Sequence, residues 1–309
     1  MAIATAPAVT VAPPPRPGRR RRRMTFTAWG FAAPFVALFA VFLAGPIVAS
    51  LFMSFTDMTT RDLRSPLNVN IVGFANYIAL FQDPRFLRSL GNTAYFVLVG
   101  VPVTMALALL VALALDKGIR RLRTVFRVGY YAPVVTSIVA IAIVWRFILQ
   151  PDGLLNGFLG MLGIQGPDWL QSTTWAMPAL IMMAVWRNIG TLMVIFLAGL
   201  QGVPREQHEA AMVDGANVFQ RFRNVTLPAL RPTMLFAAVI TGIGFLQFFE
   251  EPFVMTQGGP LDATLSTAMY TYDQFGFGNY AFASASSYVL FLAIVLLSLI
   301  QFRLLGRRD

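Results

Sequence analysis

The 309-residue chain contains no cysteine and a single histidine, His208. The first absence excludes disulfide frameworks, thiolate metal sites and cysteine nucleophiles, and it leaves the redox state of the compartment unreadable. One histidine leaves no room for a multi-histidine metal cluster, so no metal site is expected. Charge is also scarce, at 12% of residues against 57% hydrophobic, where soluble domains are about one quarter charged. No Gly-x-x-x-x-Gly-Lys-Ser/Thr phosphate loop occurs, so the chain is not expected to bind ATP productively by itself. Within the apolar runs, Glu250 and Glu251 apart, no close pair of carboxylates stands ready for acid–base chemistry.

What remains is apolar sequence in long runs. A transmembrane helix needs about 20 mostly apolar residues. Six runs qualify: Phe26 to Phe55, and runs centred on Tyr95 to Leu115, Val125 to Leu149, Thr174 to Leu200, Thr233 to Met255 and Tyr280 to Leu304. The expected fold is therefore all-α, a polytopic membrane protein of six transmembrane helices. The first run far exceeds the roughly 7 to 15 apolar residues of a signal peptide and is read as an uncleaved span. Residues 1–25, ending in a run from Arg19 to Arg23, lack periodicity and are expected to form a disordered basic arm. Residues 26–309 form the membrane domain, with an outer loop at 56–88 and a cytoplasmic loop at 201–231.

Loop charges orient the chain, because cytoplasmic loops carry the excess of Lys and Arg. Arg16 and Arg19 to Arg23 mark the arm, and Lys117, Arg120, Arg121, Arg123 and Arg127 the second loop. Arg205, Arg221, Arg223 and Arg231 mark the fourth, and Arg303, Arg307 and Arg308 the tail. Both termini then lie in the cytoplasm. The loops at about 151–173 and 256–279 contain no Lys or Arg, as expected outside. The first outer loop breaks the pattern, with Arg61, Arg64, Arg85 and Arg88 partly offset by Asp57, Asp62 and Asp83; its length suggests a small folded cap. This placement explains the net charge of +10 without nucleic acid as a partner; membrane lipid is the surrounding one.

The segment from Pro204 to Pro232 is too long and too patterned for a plain connector. Its residues predict a helix over Glu206 to Val213, a left-handed turn at Gly215, and a second helix over Val218 to Val225 that ends before Pro228. Val218, Phe219, Phe222 and Val225 recur at three- and four-residue steps and give the second helix an apolar stripe beside Arg221 and Arg223. Such an element can dock in a groove. His208, without matching ligands, is expected to be a solvated loop side chain.

The same segment resembles the signature of ABC importer permeases, in which Glu-Ala-Ala is followed after three residues by Gly and nine residues later by Ile-x-Leu-Pro. Here the matching positions are Glu209, Ala210, Ala211, Gly215, Val225, Leu227 and Pro228, with Val225 in place of Ile. Asp214-Gly215-Ala216, the Leu227 to Pro232 stretch and Met255-Thr-Gln-Gly-Gly-Pro260 resemble the binding-protein-dependent sugar permeases, in particular the larger partner of maltose-type pairs. The resemblance covers most of the chain after about residue 26 and implies the type I importer fold. It also implies a division of labour. A dimeric cytoplasmic ATPase binds ATP and Mg, an extracytoplasmic binding protein delivers a sugar or glycoside, and two homologous permeases in the bacterial plasma (inner) membrane form the path. This chain would then be no enzyme and bind no cofactor itself. Glu209, Ala210, Ala211, Asp214, Gly215, Phe219, Phe222, Leu227 and Pro228 would form the contact with the ATPase. Glu209, read as lying in the N-terminal half of a short helix, suits an arginine or backbone donor of the partner, or simply supports its own helix end.

Candidates for the solute path come from polar residues inside the spans. Burying Arg187 in lipid costs at least about 2.5 to 3.5 kcal/mol, so it should face protein or a watery cavity. Arg187 and Asn188 in the fourth span, with Gln247, Phe248, Glu250 and Glu251 at the end of the fifth, combine the aromatic face and hydrogen-bonding groups of a sugar site. An ion pair from Arg187 to Glu250 or Glu251 is the structural reading of the same residues. A secondary transporter or channel uncoupled from ATP leaves the Glu-Ala-Ala loop unexplained, and a membrane enzyme finds no catalytic residues.

Overall fold

The structure is a computed structural model that describes residues 18–65, 69–117 and 123–306. Among these residues every regular element is helical, and a lone bridge from Thr56 to Ile71 pairs extended backbone. The chain divides after Ser50 into two units.

The first unit contains α1 (Gly18–Phe39), a π-helical turn (Ala40–Ala44) and the start of α2 (Gly45–Met53). The apolar stretch from Trp29 to Met53, 25 residues, begins in this unit and ends past the division. Residues 18–25, expected within a disordered arm, are helical instead; arginine is a good helix former because its unbranched side chain loses little rotamer freedom in a helix. Residues 1–17 of the arm lie outside the described residues, as do Arg120, Arg121, Arg307 and Arg308 of the charge pattern.

The second unit continues with a 3-10 turn (Thr60–Arg64), α3 (Ala75–Gln82), α4 (Pro84–Lys117), α5 (Arg123–Val135), α6 (Ile138–Ile148), α7 (Leu154–Met161) and α8 (Ala176–Gln201). It then runs through α9 (Arg205–Val213), α10 (Val218–Arg221), a second π-helical turn (Phe222–Thr226), α11 (Leu227–Ala229) and α12 (Arg231–Leu246). The final elements are α13 (Glu250–Met255), α14 (Thr267–Gly276) and α15 (Tyr280–Leu305). Among the described residues, 4 helices can cross a membrane unbroken, and the number reaches 6 when each of two bent pairs is taken as one span.

The bends have local causes. Between α5 and α6 the axis turns by 101°. Pro133 removes a donor in the last turn of α5, and Ser137 adopts ψ 126 before α6 restarts. The expected fifth span, Thr233 to Met255, is not one helix: α12 stops at Leu246 and α13 starts at Glu250. In a continuous helix the ring of Pro252 would collide with the carbonyl of Phe248; in α13 it sits in the first turn, where a missing N–H leaves no bond unmade.

The core is built on α8, of whose central window 61% is buried, against 6% for α15. Phe196, Met183, Met193 and Leu192 of α8 meet Phe96, Ala108 and Ala112 of α4 and Phe245 of α12. Close approach depends on small residues. A side chain at Gly190 would lie 2.1 Å from the Tyr130 carbonyl oxygen, and one at Gly100 would lie 2.7 Å from the Phe245 ring, as expected where helices associate through backbone proximity.

Candidate functional site

The element between α8 and α12 begins at Pro204, after which α9 runs to Val213. Gly215 takes φ +79, and its amide donates to Met212 O at 3.1 Å while the Ala216 amide donates to Ala211 O at 2.9 Å. That pair of bonds is a Schellman ending, which requires the left-handed residue that glycine supplies without a Cβ penalty. Asn217 then starts α10: its side chain accepts from the Gln220 amide at 2.9 Å, and Gln220 Oε1 accepts from the Asn217 amide at 2.8 Å. Sequence periodicity places the hinge at the right residue.

The second helix does not end before Pro228. It passes through the π-helical turn, where the Leu227 amide donates to Phe222 O five residues back, and continues to Ala229. The widened turn supplies an extra residue ahead of the proline. The same device appears at Ala40–Ala44 ahead of Pro46, with the Gly45 amide donating to Ala40 O. A 66° bend separates this segment from α12.

Along this element Val213, Val218 and Phe219 are exposed at 88%, 66% and 68%, a concentration of apolar surface on short helices. Glu209, Ala210, Asp214, Gly215 and Pro228 are exposed, whereas Ala211, Phe222 and Leu227 are half-buried. Glu209 falls at the middle of α9, and Glu206 is the first-turn acid, so Glu209 does not cap the helix. A groove of about 620 Å³ runs past Gln207, Ala210, Ala211, Asp214, Asn224 and Pro228. His208 is not solvated: it is half-buried, with Nε2 3.1 Å from Thr226 Oγ1, and Thr226 is 2% exposed. The histidine pins α9 to the π-helical turn. A contact 18 residues away along the chain leaves no local pattern by which it could have been foreseen.

The candidate path residues converge. Arg187, Asn188, Gln247, Phe248, Glu250 and Glu251 all line one pocket of about 230 Å³ between α8, α12 and α13. Asn188 donates to Ala184 O at 2.8 Å. Phe248 is 3% exposed and stacks on Phe96 with centroids 3.9 Å apart. Among the described residues no ion pair joins Arg187 to either glutamate; instead Arg187 Nε and Glu251 Oε2 are buried without hydrogen-bond partners. Phe96 and Thr191 were not anticipated, because pairing between spans leaves no mark in one sequence.

At the other end of the second unit, the segment before α4 is ordered by polar contacts. Asn70 donates to Asp57 through both backbone and side chain at 2.9 Å, and those bonds hold the Asp57 carboxyl below its ordinary value. Arg85 pairs with Asp262 and Asp273, each at 3.2 Å, and Asn92 donates to Asp262 O and Leu265 O. The Tyr270 hydroxyl donates to Asp83; burial and then that carboxylate push the phenol above its ordinary value. Burial raises Asp273 as well, against the opposing pull of Arg85. The cap and the segment around α14 are thereby stitched together.

Bent and straight apolar helices long enough to cross a membrane, a polar pocket among them and an exposed helix–glycine–helix are the features of a multi-pass membrane protein. The model of the family described as "Binding-protein-dependent transport system inner membrane component" matches residues 71–308, and the chain belongs to that family. It is thus a permease subunit of a binding-protein-dependent importer. The lactose transport system permease protein LacF of Rhizobium radiobacter is 35% identical over 91% of this chain and 95% of its own length. The arabinooligosaccharides transport system permease protein AraP of Bacillus subtilis is 34% identical over 89% of this chain and 87% of its own. The fold matches that of a chain in the crystal structure of a bacterial alginate ABC transporter in complex with an alginate pentasaccharide-bound periplasmic protein, with a TM-score of 0.75 at 23% identity, covering 92% of this chain and 95% of that one.

Proposed function

We propose that this permease carries a sugar or glycoside, received from an extracytoplasmic binding protein, along a path formed with a second homologous permease. ATP and Mg are bound by a separate dimeric ATPase, no cofactor by this chain, and both termini face the cytoplasm. The observation that carries the reading is the convergence of Arg187, Asn188, Gln247, Phe248, Glu250 and Glu251 on one pocket. An aromatic face among hydrogen-bonding side chains is the chemistry a polyhydroxylated solute needs. The relatives named for lactose and arabinooligosaccharides support the same solute class.

Energy enters through α9 and α10. Exposed Glu209, Ala210, Asp214, Gly215, Phe219 and Pro228, with half-buried Ala211, Phe222 and Leu227, seat in the ATPase, so that closure of the nucleotide-bound dimer rocks the attached helices between outward and inward states. The test is purification of this chain from native membranes, identification of its partners, and ATPase assay with a panel of mono-, di- and trisaccharides and the binding protein. Recovery of an ATPase and a second permease, with saccharide-stimulated hydrolysis, is the expected result; a chain recovered without an ATPase overturns the reading. In solute uptake by membranes carrying the same importer, Gln247→Ala or Glu250→Ala impairs uptake without loss of assembly, and normal uptake in both removes them from the path.

A further inference from the structure

A second polar cavity, of about 310 Å³, lies where the C-terminal ends of α6 and α13 meet the 150–171 segment. Its polar lining is Arg146, Gln150, Asp168, Gln171, Thr256 and Gln257. These side chains are exposed at the cavity mouth, apart from half-buried Thr256; among the described residues those of Arg146, Gln150, Gln171 and Gln257 are free of protein partners, and Asp168 spends one oxygen on the Gln171 backbone N–H at 3.3 Å. One guanidinium, one carboxylate and three amides bring donors and acceptors together with no net charge. That mixture suits hydroxyl groups, which both donate and accept, better than it suits an ion.

The wall carrying Gln257 is firmly built. Thr256 Oγ1 and Thr264 Oγ1 lie 2.7 Å apart, and Thr264 donates to Gly259 O at 2.7 Å. Gln257 itself is held at φ 52, a region that non-glycine residues occupy at a cost and that clusters at ligand sites. Leu149 and Met255, both buried, supply apolar wall.

Position ties this cavity to the inner pocket. Glu250 and Glu251 at the start of α13 line the inner one, and Met255 at its end lines the outer; the helix rise between Glu250 and Met255 is about 7.5 Å. The cavity also lies at the Ala176 end of α8, about 39 Å of helix away from the element that follows Gln201.

We infer that the outer cavity is a second saccharide subsite in series with the inner pocket, so that the solute is a saccharide of two or more units. This rests on the sugar reading given under Proposed function. α13 spans a distance comparable to a disaccharide, with hydroxyl-binding groups at both ends.

Because the native chain has no cysteine, Gln171→Cys and Gln257→Cys each add a single thiol to this subunit, on different walls of the cavity. Ile164→Cys, exposed in the same segment and outside the lining, reports general closure. The rate of modification by a small hydrophilic thiol reagent is measured on this chain within the assembled importer, with and without each saccharide that stimulates the ATPase. At about ten times the half-saturating concentration, occupancy slows both cavity thiols roughly tenfold and leaves Ile164→Cys unchanged. Equal slowing at Ile164→Cys overturns the subsite in favour of closure, and no slowing while saccharides stimulate hydrolysis overturns it and leaves the sugar reading intact. Stimulation by monosaccharides alone overturns the chain-length inference. If no saccharide stimulates, the sugar reading falls and the subsite with it. Two thiol positions keep the test decisive if one variant fails to assemble.

Discussion

Replacing Gly215 by alanine isolates a backbone effect at the element that follows α8. Gly215 has φ +79, and a Cβ built on it meets nothing within 4 Å. The substitution therefore adds no clash in the subunit and only forces an L-residue into left-handed backbone, at about 1 to 2 kcal/mol. Its stabilising bonds, Gly215 N–H to Met212 O and Ala216 N–H to Ala211 O, then open about 5 to 30 times more often. Hydrogen exchange of residues 211–217 in the purified subunit should accelerate by that factor, and ATP-driven uptake should fall in the same sense. Gly215→Asn, which tolerates left-handed backbone several-fold better than most residues, should recover most of both. Unchanged exchange in Gly215→Ala, or equal damage from asparagine and alanine, would refute the backbone explanation.

Other perturbations follow from the packing. Gly190→Ala drives a methyl against the Tyr130 carbonyl at 2.1 Å and should destabilise the α5–α8 contact by about 1 to 3 kcal/mol or more, read as a lower thermal midpoint in detergent. His208→Ala removes the bond to Thr226 and should cost about 1 kcal/mol locally, seen as faster exchange in α9 with the membrane helices unaffected. Tyr270→Phe leaves Asp83 Oδ2 without its hydroxyl donor while Oδ1 keeps the Arg85 amide, and should cost about 1.5 to 3 kcal/mol, measured by thermal unfolding. The Tyr270 phenol is raised in the folded state. Its contribution is thus complete below the ordinary value of about 10 and is lost as pH climbs through that value and beyond; the alkaline loss of stability should shrink in Tyr270→Phe.

Much of this was legible in the sequence because it depends on local pattern. Long apolar runs mark the spans, and the pattern from Glu206 to Val225 marks the helix–glycine–helix element down to the glycine at its hinge. The cost of burying Arg187 and the aromatic and hydrogen-bonding chemistry of a sugar site single out Arg187, Asn188, Gln247, Phe248, Glu250 and Glu251, and the fold gathers them in one pocket. Local rules misjudged the places where proline meets a helix. At Pro228 a π-helical turn carries the helix past the ring, whereas at Pro252 the helix stops and restarts. Long-range pairings stayed hidden: His208 with Thr226, Phe96 with Phe248, and Arg85 with Asp262 join residues whose proximity only the packed structure creates.

Whether the exposed face of α9 and α10 meets an ATPase is most directly measured by cross-linking. Phe219→Cys, a single thiol in an otherwise cysteine-free chain, is treated with a short thiol cross-linker in native membranes, and the product is identified by mass. A product joining this chain to an ATPase, with a yield that changes on ATP binding, is the expected result. A freely reactive thiol that yields no ATPase adduct in actively transporting membranes would contradict the proposed coupling.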